Sequence, residues 1–191
     1  ARPGRAGGRL GYAGAGSSGL MAAADAMELA GTFGLSPSQI KVLMAGGLPV
    51  KVTLPGGPED DAGTGQGDGA QIERRDCLIA VAASGRTPYT VAVAQAARAS
   101  GATVIALSNA AGAPLLDHAT LPICLDTPPE CLDGSTRMGA GTAQKVALNI
   151  MSTVMGVALG HVHDGLMVNL RSDNQKLRAR AISVVAQITG V

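Results

Sequence analysis

The sequence predicts an α/β domain of three layers, α-β-α, built on a five-stranded parallel sheet. Three observations carry that expectation. Short apolar runs alternate with stretches of helical periodicity, the order expected of parallel strands joined by crossover helices. Two of those runs end in small and hydroxyl residues just before a helix begins, in "YAGAGSSGL" and "VAASGRTPY". The apolar content is 46% but aromatics are only 2%, so the core must be made of Ala, Val, Leu, Ile and Met. At 191 residues the chain is long enough for one such domain.

Taken in order, strands are expected near Arg9–Ala13, Ile40–Ala45, Cys77–Ala82, Thr103–Ser108 and Pro122–Leu125. Helices are expected near Ser18–Leu29, Pro88–Ser100, Ala113–His118 and Gly141–Leu159. Gly101 supplies a stop after Ser100. A last helix over Asn174–Ile188 follows from Leu177, Ala181, Val184, Val185 and Ile188, which recur at helical spacing. The first helix is expected to turn Leu20, Met21, Ala24 and Met27 inward, with Glu28 at the border of that face and partly desolvated. Pro55–Gln71 is rich in Gly and Asp and reads as a mobile loop. Leu48–Leu54, "LPVKVTL", alternates like a strand but carries Pro49.

Charge and composition narrow the function. Lys and Arg number 15 against 14 Asp and Glu, a net charge of +1, and no basic block is interleaved with aromatics. Nucleic acid is not the expected partner. No apolar run reaches the length of a membrane span, and the first residues lack a signal-peptide segment. Cys77, Cys124 and Cys131 are far apart, which favours neither a disulfide framework nor a zinc site and fits reduced thiols in a cytoplasmic protein. A strand near the first residue suggests that flanking segments lie beyond this single domain.

The first turn contains Gly14, Gly16 and Gly19 in a GxGxxG spacing. Such a strand–turn–helix presents free backbone N–H groups to a phosphate. A dinucleotide would also want an acid at the end of the second strand, which reads "MAGGLP" and has none. Ser17 and Ser18 suit a single phosphate held by hydroxyls and amides; the plainer reading is that they cap the helix. Ser84, Gly85, Arg86 and Thr87 repeat the arrangement after the third strand, with Pro88 placed for a first helical turn. Two such loops can flank one crevice at the carboxyl edge of the sheet. Arg86 either pairs with the anion or is solvated. Ser135, Thr136 and Arg137, before the long helix, either contact sugar hydroxyls or form a capped helix start.

Six collinear stretches, "GRLGYAGAGSSG", "DAMELAGTFG", "AASGRTPY", "ECLDGSTRM", "GTAQKVALNIMST" and "LMVNLRSDNQKLRARA", resemble the N-acetylmuramic acid 6-phosphate etherases, from about Gly8 to Ala181. That family has a sugar isomerase (SIS) fold and is related to the glucokinase regulatory protein. The resemblance implies cleavage of the D-lactyl ether of N-acetylmuramic acid 6-phosphate to N-acetylglucosamine 6-phosphate and D-lactate. It implies no metal or redox cofactor and a homodimer with shared sites. By the same resemblance Glu28 is the acid that protonates departing lactate, and Glu59 the base at C2. A continuous helix separates Glu28 from Ser18 by roughly 15 Å, so Glu28 is expected to serve a neighbouring subunit's site. The chain departs from the family at Leu29-Ala30-Gly31 (usually Cys-Pro-Pro), at Gly139 (usually basic) and at Gly56 (usually acidic). A non-catalytic sugar-phosphate sensor and an aldose–ketose isomerase are the alternatives. His161 and His163 read as solvent or interface residues, Met151 and Met155 as core, and Asp164 and Asn169 as turn or strand-end residues.

Overall fold

A computed structural model of the chain describes residues 7–48 and 52–190. Five strands form one parallel sheet: β1 (Leu10–Gly14), β2 (Ile40–Met44), β3 (Cys77–Val81), β4 (Thr103–Ser108) and β5 (Leu121–Cys124). Their spatial order is β2-β1-β3-β4-β5. The chain therefore leaves β1 toward one edge and returns to its other side with β3. Gly14 pairs with Met44 on one flank and Val81 on the other, so the loops after β1 and β3 emerge side by side at this switch point.

Both faces of the sheet are covered. Along β3, Leu78 and Ala80 point to one helical layer and Ile79 and Val81 to the other, the two-residue alternation of a strand. The first layer holds α2 (Ala62–Gly69), α3 (Pro88–Ala99) and the short α4 (Pro114–Asp117). The second holds α1 (Gly16–Phe33) and α5 (Gly139–Ala158). With so few aromatics, helices approach the sheet and each other on small residues. Gly156 of α5 lies so close to the Phe33 ring that a Cβ there would overlap it. The layers are also tied by polar groups: Asp25 of α1, 1% exposed, accepts from the Tyr12 hydroxyl at 2.7 Å and the Ser152 hydroxyl at 3.0 Å.

Three expectations are corrected. Pro55–Gln71 is not a mobile loop; it contains a 3-10 turn (Gly57–Asp60) and α2. Two of its glycines, Gly65 and Gly69, are contact points rather than hinges, buried against α3. A Cβ at Gly69 would stand 2.5 Å from the Val93 carbonyl oxygen. The buried face of α1 is Gly19, Ala22, Ala23, Asp25, Ala26, Leu29 and Phe33, not the face through Met27, which is 61% exposed. With the helix turned this way, Glu28 is not desolvated; its side chain is 62% exposed. In addition, the sequence reading did not include a two-stranded antiparallel hairpin, β6 (Val162–His163) and β7 (Leu166–Met167), that follows α5. Asp164 and Gly165 form its turn, both with positive φ. Met151 and Met155 pack against the α1–α5 core, as their spacing predicts. Within Leu48–Leu54, residues 49–51 lie outside the described residues; Leu48 and Val52–Leu54 belong to no strand.

A final helix, α6 (Gln175–Thr189), is capped by the Asn174 side chain and has no buried residue. Among the described residues no helix is long and apolar enough to cross a membrane.

Candidate functional site at the carboxyl edge of the sheet

All five strands of the main sheet point the same way, so every functional loop named above leaves from one edge. Between β1 and α1 the backbone must turn within two residues. Gly16 does this at φ 53, and Gly14 packs on Gly19, where a Cβ would meet the Gly19 Cα at 2.8 Å. Ala15, not a serine, is the residue before α1, and no side chain caps the helix. Ser17 and Ser18 lie inside its first turn. The capping explanation for them fails, and the first-turn N–H groups remain open to an anion, with the helix dipole behind them.

The loop after β3 has the same form. Gly85, buried at φ 60, is wedged against Ser108, where a Cβ would stand 2.6 Å from the hydroxyl oxygen. Ser84 Oγ accepts from the Arg86 N–H at 3.2 Å. Thr87 precedes α3 without capping it through its side chain, and Arg86 extends into solvent. Two uncapped helix N-termini with four nearby hydroxyls therefore follow the adjacent strands β1 and β3 at the switch point.

Glu59 joins them. The 3-10 turn that carries it packs against α3, and the Glu59 carboxylate lies over the start of α1. Its Oε1 stands 2.6 Å from where a Cβ of Gly16 would be. Gly16 is thus needed twice, for its backbone and for the space the carboxylate occupies. Asp61 secures the turn by accepting from the Thr64 hydroxyl at 2.6 Å and N–H at 2.8 Å, which holds its own carboxyl below the usual carboxylate range.

Glu28 is not brought to this cluster within one chain. It lies twelve residues along an unbroken α1 from Gly16, roughly 18 Å, and faces Lys145 of α5 at 4.0 Å. Ser135, Thr136 and Arg137 sit on the loop between β5 and α5, again on the carboxyl edge. Ser135 is half-buried and its Oγ accepts from the Arg137 N–H at 3.4 Å; Thr136 and Arg137 are exposed. Glu130 closes this loop by accepting the Ala140 N–H at 3.1 Å, and its carboxylate lies 3.6 Å from where Gly139 would carry a Cβ.

Three residues of this edge escaped the sequence reading: Asn109, Glu130 and Gln144. Gln144 had a signal. It stands on the inward stripe of α5 with Leu148, Ser152 and Gly156, and a polar residue in a core stripe demands a partner. Among the described residues no group of three or more His, Cys, Asp or Glu could hold a metal ion, and His161 and His163 join none.

Comparison with known proteins agrees with this geometry. Residues 2–109 match the family described as SIS domain. The chain is 47% identical over 186 residues to N-acetylmuramic acid 6-phosphate etherase of Deinococcus radiodurans, covering 96% of this chain and 61% of that protein. It is 43% identical over 187 residues to the etherase of Symbiobacterium thermophilum, covering 97% and 62%. This chain thus spans about three fifths of the length of those curated relatives. Among solved structures, the Vibrio vulnificus NanR protein complexed with ManNAc-6P aligns over 95% of this chain and 55% of that one, with TM-score 0.52 and 17% identity, a likeness of fold. With a parallel five-stranded sheet, anion-ready loops at its switch point and a family match over more than half its length, the chain belongs to the SIS domain family.

Proposed function

We propose that this chain is the sugar-phosphate-binding and catalytic domain of an N-acetylmuramic acid 6-phosphate etherase, a carbon–oxygen lyase of the cytoplasm. The observation that carries the reading is the Glu59 carboxylate over Gly16 at the uncapped start of α1, with a second uncapped helix N-terminus following the adjacent strand β3. The identity to the etherases supports it. The phosphate is held by Ser17, Ser18, Ser84 and Thr87 with the loop amides, including that of Gly85, and with Arg86. Ser135, Thr136 and Arg137 meet the sugar.

An alkyl ether is a poor leaving group in direct displacement. Opening the sugar to its aldehyde acidifies the C2 proton. Glu59 removes that proton, the C2–C3 double bond forms, and the C3–O bond breaks. Lactate leaves with a proton from an acid. Water then adds at C3 and a proton returns to C2, so one water is consumed for each lactate released. One base and one acid suffice for this sequence.

Glu28 would be that acid in the site of a second copy, since it does not reach Glu59 in its own chain. The exposed apolar side chains of α5 (Val146, Ile150, Val154) and α6 (Ile182, Val185) support a homodimer. The distance of Glu28 also favours a second reading, a domain that binds a sugar phosphate without cleaving it.

The test is D-lactate release from N-acetylmuramic acid 6-phosphate by the full-length protein, beside Glu59→Gln. Lactate from the first and a loss of at least a hundredfold in the second support the etherase and its base. Binding without lactate moves the assignment to the sensor, and a ketose product to the isomerase.

A further inference from the structure

The Ser84–Thr87 loop and the Ser135–Arg137 loop belong to different parts of the chain, yet one polar path joins them. The Asn109 N–H donates to the Ala83 carbonyl, the residue before Ser84, at 2.9 Å. The Ser108 hydroxyl reaches the same carbonyl at 3.3 Å. Asn109 Nδ2 donates to the Leu125 carbonyl just past β5 at 3.1 Å. Its Oδ1 accepts from Gln144 Nε2 of α5 at 2.9 Å. Gln144 is 1% exposed and Asn109 half-buried. One turn before Gln144, the Gly141 N–H donates to the Thr136 carbonyl at 3.0 Å and the Ala140 N–H to Glu130. The path thus runs from the phosphate loop through Ala83, Asn109 and Gln144 to the first turn of α5 and the loop seated on it.

Each amide makes a directed contact where water is scarce. If Gln144 cannot donate, the Asn109 oxygen loses its partner at a half-buried site, and the side chain must turn and release Leu125 to recover. Aliphatic packing at Gln144 would fill the core as well as an amide does. The amide therefore has a use that packing does not serve.

We infer that Gln144 and Asn109 are positioning residues that set the Ser135–Arg137 loop against the Ser84–Thr87 phosphate loop, so that one sugar phosphate meets both. This rests on the phosphosugar reading above. It concerns ligands long enough to touch both loops and predicts little effect on a ligand that touches one.

The experiment is calorimetric titration of the full-length protein with two probes, N-acetylglucosamine 6-phosphate and inorganic phosphate, for the unsubstituted protein, Gln144→Met, Asn109→Leu and the double variant. Gln144→Met should weaken the sugar phosphate about tenfold and inorganic phosphate less than about twofold. The double variant should be no worse than the poorer single one, because both break one path. Equal weakening of the two probes, or none, overturns the inference while leaving the phosphosugar reading intact. Additive losses in the double variant overturn it too. If the unsubstituted protein binds neither probe, the phosphosugar reading itself fails and takes this inference with it. Should Gln144→Met not fold, Gln144→Leu carries the same comparison, because an aliphatic side chain cannot donate to Asn109 Oδ1.

Discussion

Helices α2 and α6 are opposites. Half of α2 is glycine, in "AGTGQGDG", and its intrinsic helix propensity is poor. It nevertheless holds a defined place: Gly65 and Gly69 lie against α3, and Asp68 accepts from the buried Tyr89 hydroxyl at 2.6 Å. The sequence of α6 has the better pattern, with a capping Asn174 and apolar residues at helical spacing, yet it buries none of them. Ile182 is 72% exposed and Val185 60%. A side-chain pattern thus says whether a helix has an apolar face, while close backbone approach can hold a helix that has none. In α2 the missing side chains are the adhesive, because glycine lets two helix backbones come near enough for dispersion contacts.

That contrast can be broken most severely at Gly69. Gly69→Val drives a branched side chain into the Val93 backbone and should cost about 3 kcal/mol in urea unfolding. On the proposed function, lactate release should fall with it, since α2 follows directly on the turn that carries Glu59. A variant as stable as the unsubstituted protein would show that α2 is not held by that contact.

Next comes the chain leaving α2. Burial alone would raise the Asp76 carboxyl, but hydrogen bonds from the Arg9 side chain, the Glu73 N–H and the Arg9 N–H outweigh it and hold the group below the usual carboxylate range. A carboxyl lowered in the folded state stabilises above its unfolded pKa, and that contribution is lost as pH falls through the folded value. Unfolding free energy should therefore drop below about pH 4, and Asp76→Asn should flatten that part of the profile. At neutral pH the variant should be about 2 kcal/mol less stable, from losing charge-assisted bonds. An unchanged acid limb would mean that other carboxylates set it.

Tyr89→Phe is a smaller change. Burial, followed by the bond to Asp68, pushes the Tyr89 hydroxyl well above its ordinary pKa, so it remains a donor throughout the working range. Its removal should cost about 1.5 kcal/mol in thermal unfolding, with the fold retained. The smallest effect belongs to α6. Replacing Ile182 and Val185 together by Lys should alter stability by no more than about 0.5 kcal/mol at low protein concentration. A larger loss that grows with protein concentration would show that α6 packs on a second copy.

The strands were legible because buried parallel strands are continuous apolar runs, and β4 matches its expected limits of Thr103–Ser108. The glycine-turn loops after β1 and β3 were legible because strand, glycine turn and helix start occur within ten residues. Glu59 was reached only through the family resemblance, since its stretch looks like solvated loop. Its approach to Gly16 joins positions more than forty residues apart. Gln144 was overlooked because its partner, Asn109, lies thirty-five positions away. The orientation of α1 was misread because Met27 is apolar yet exposed, while the buried face is mostly Ala and Gly with Leu29, Phe33 and a polar Asp25, a stripe that side-chain hydrophobicity does not single out.

By itself the sequence determined the α/β class, the strand positions and the two glycine-turn loops, because each depends on periodicity or on residues a few positions apart. Tertiary structure alone decided that glycine-rich α2 is a packed helix, that Glu59 rather than Glu28 stands at the phosphate loop of its own chain, and that Gln144 meets Asn109. Those outcomes depend on the distance between backbones brought together by folding, and local residue order carries no record of that distance.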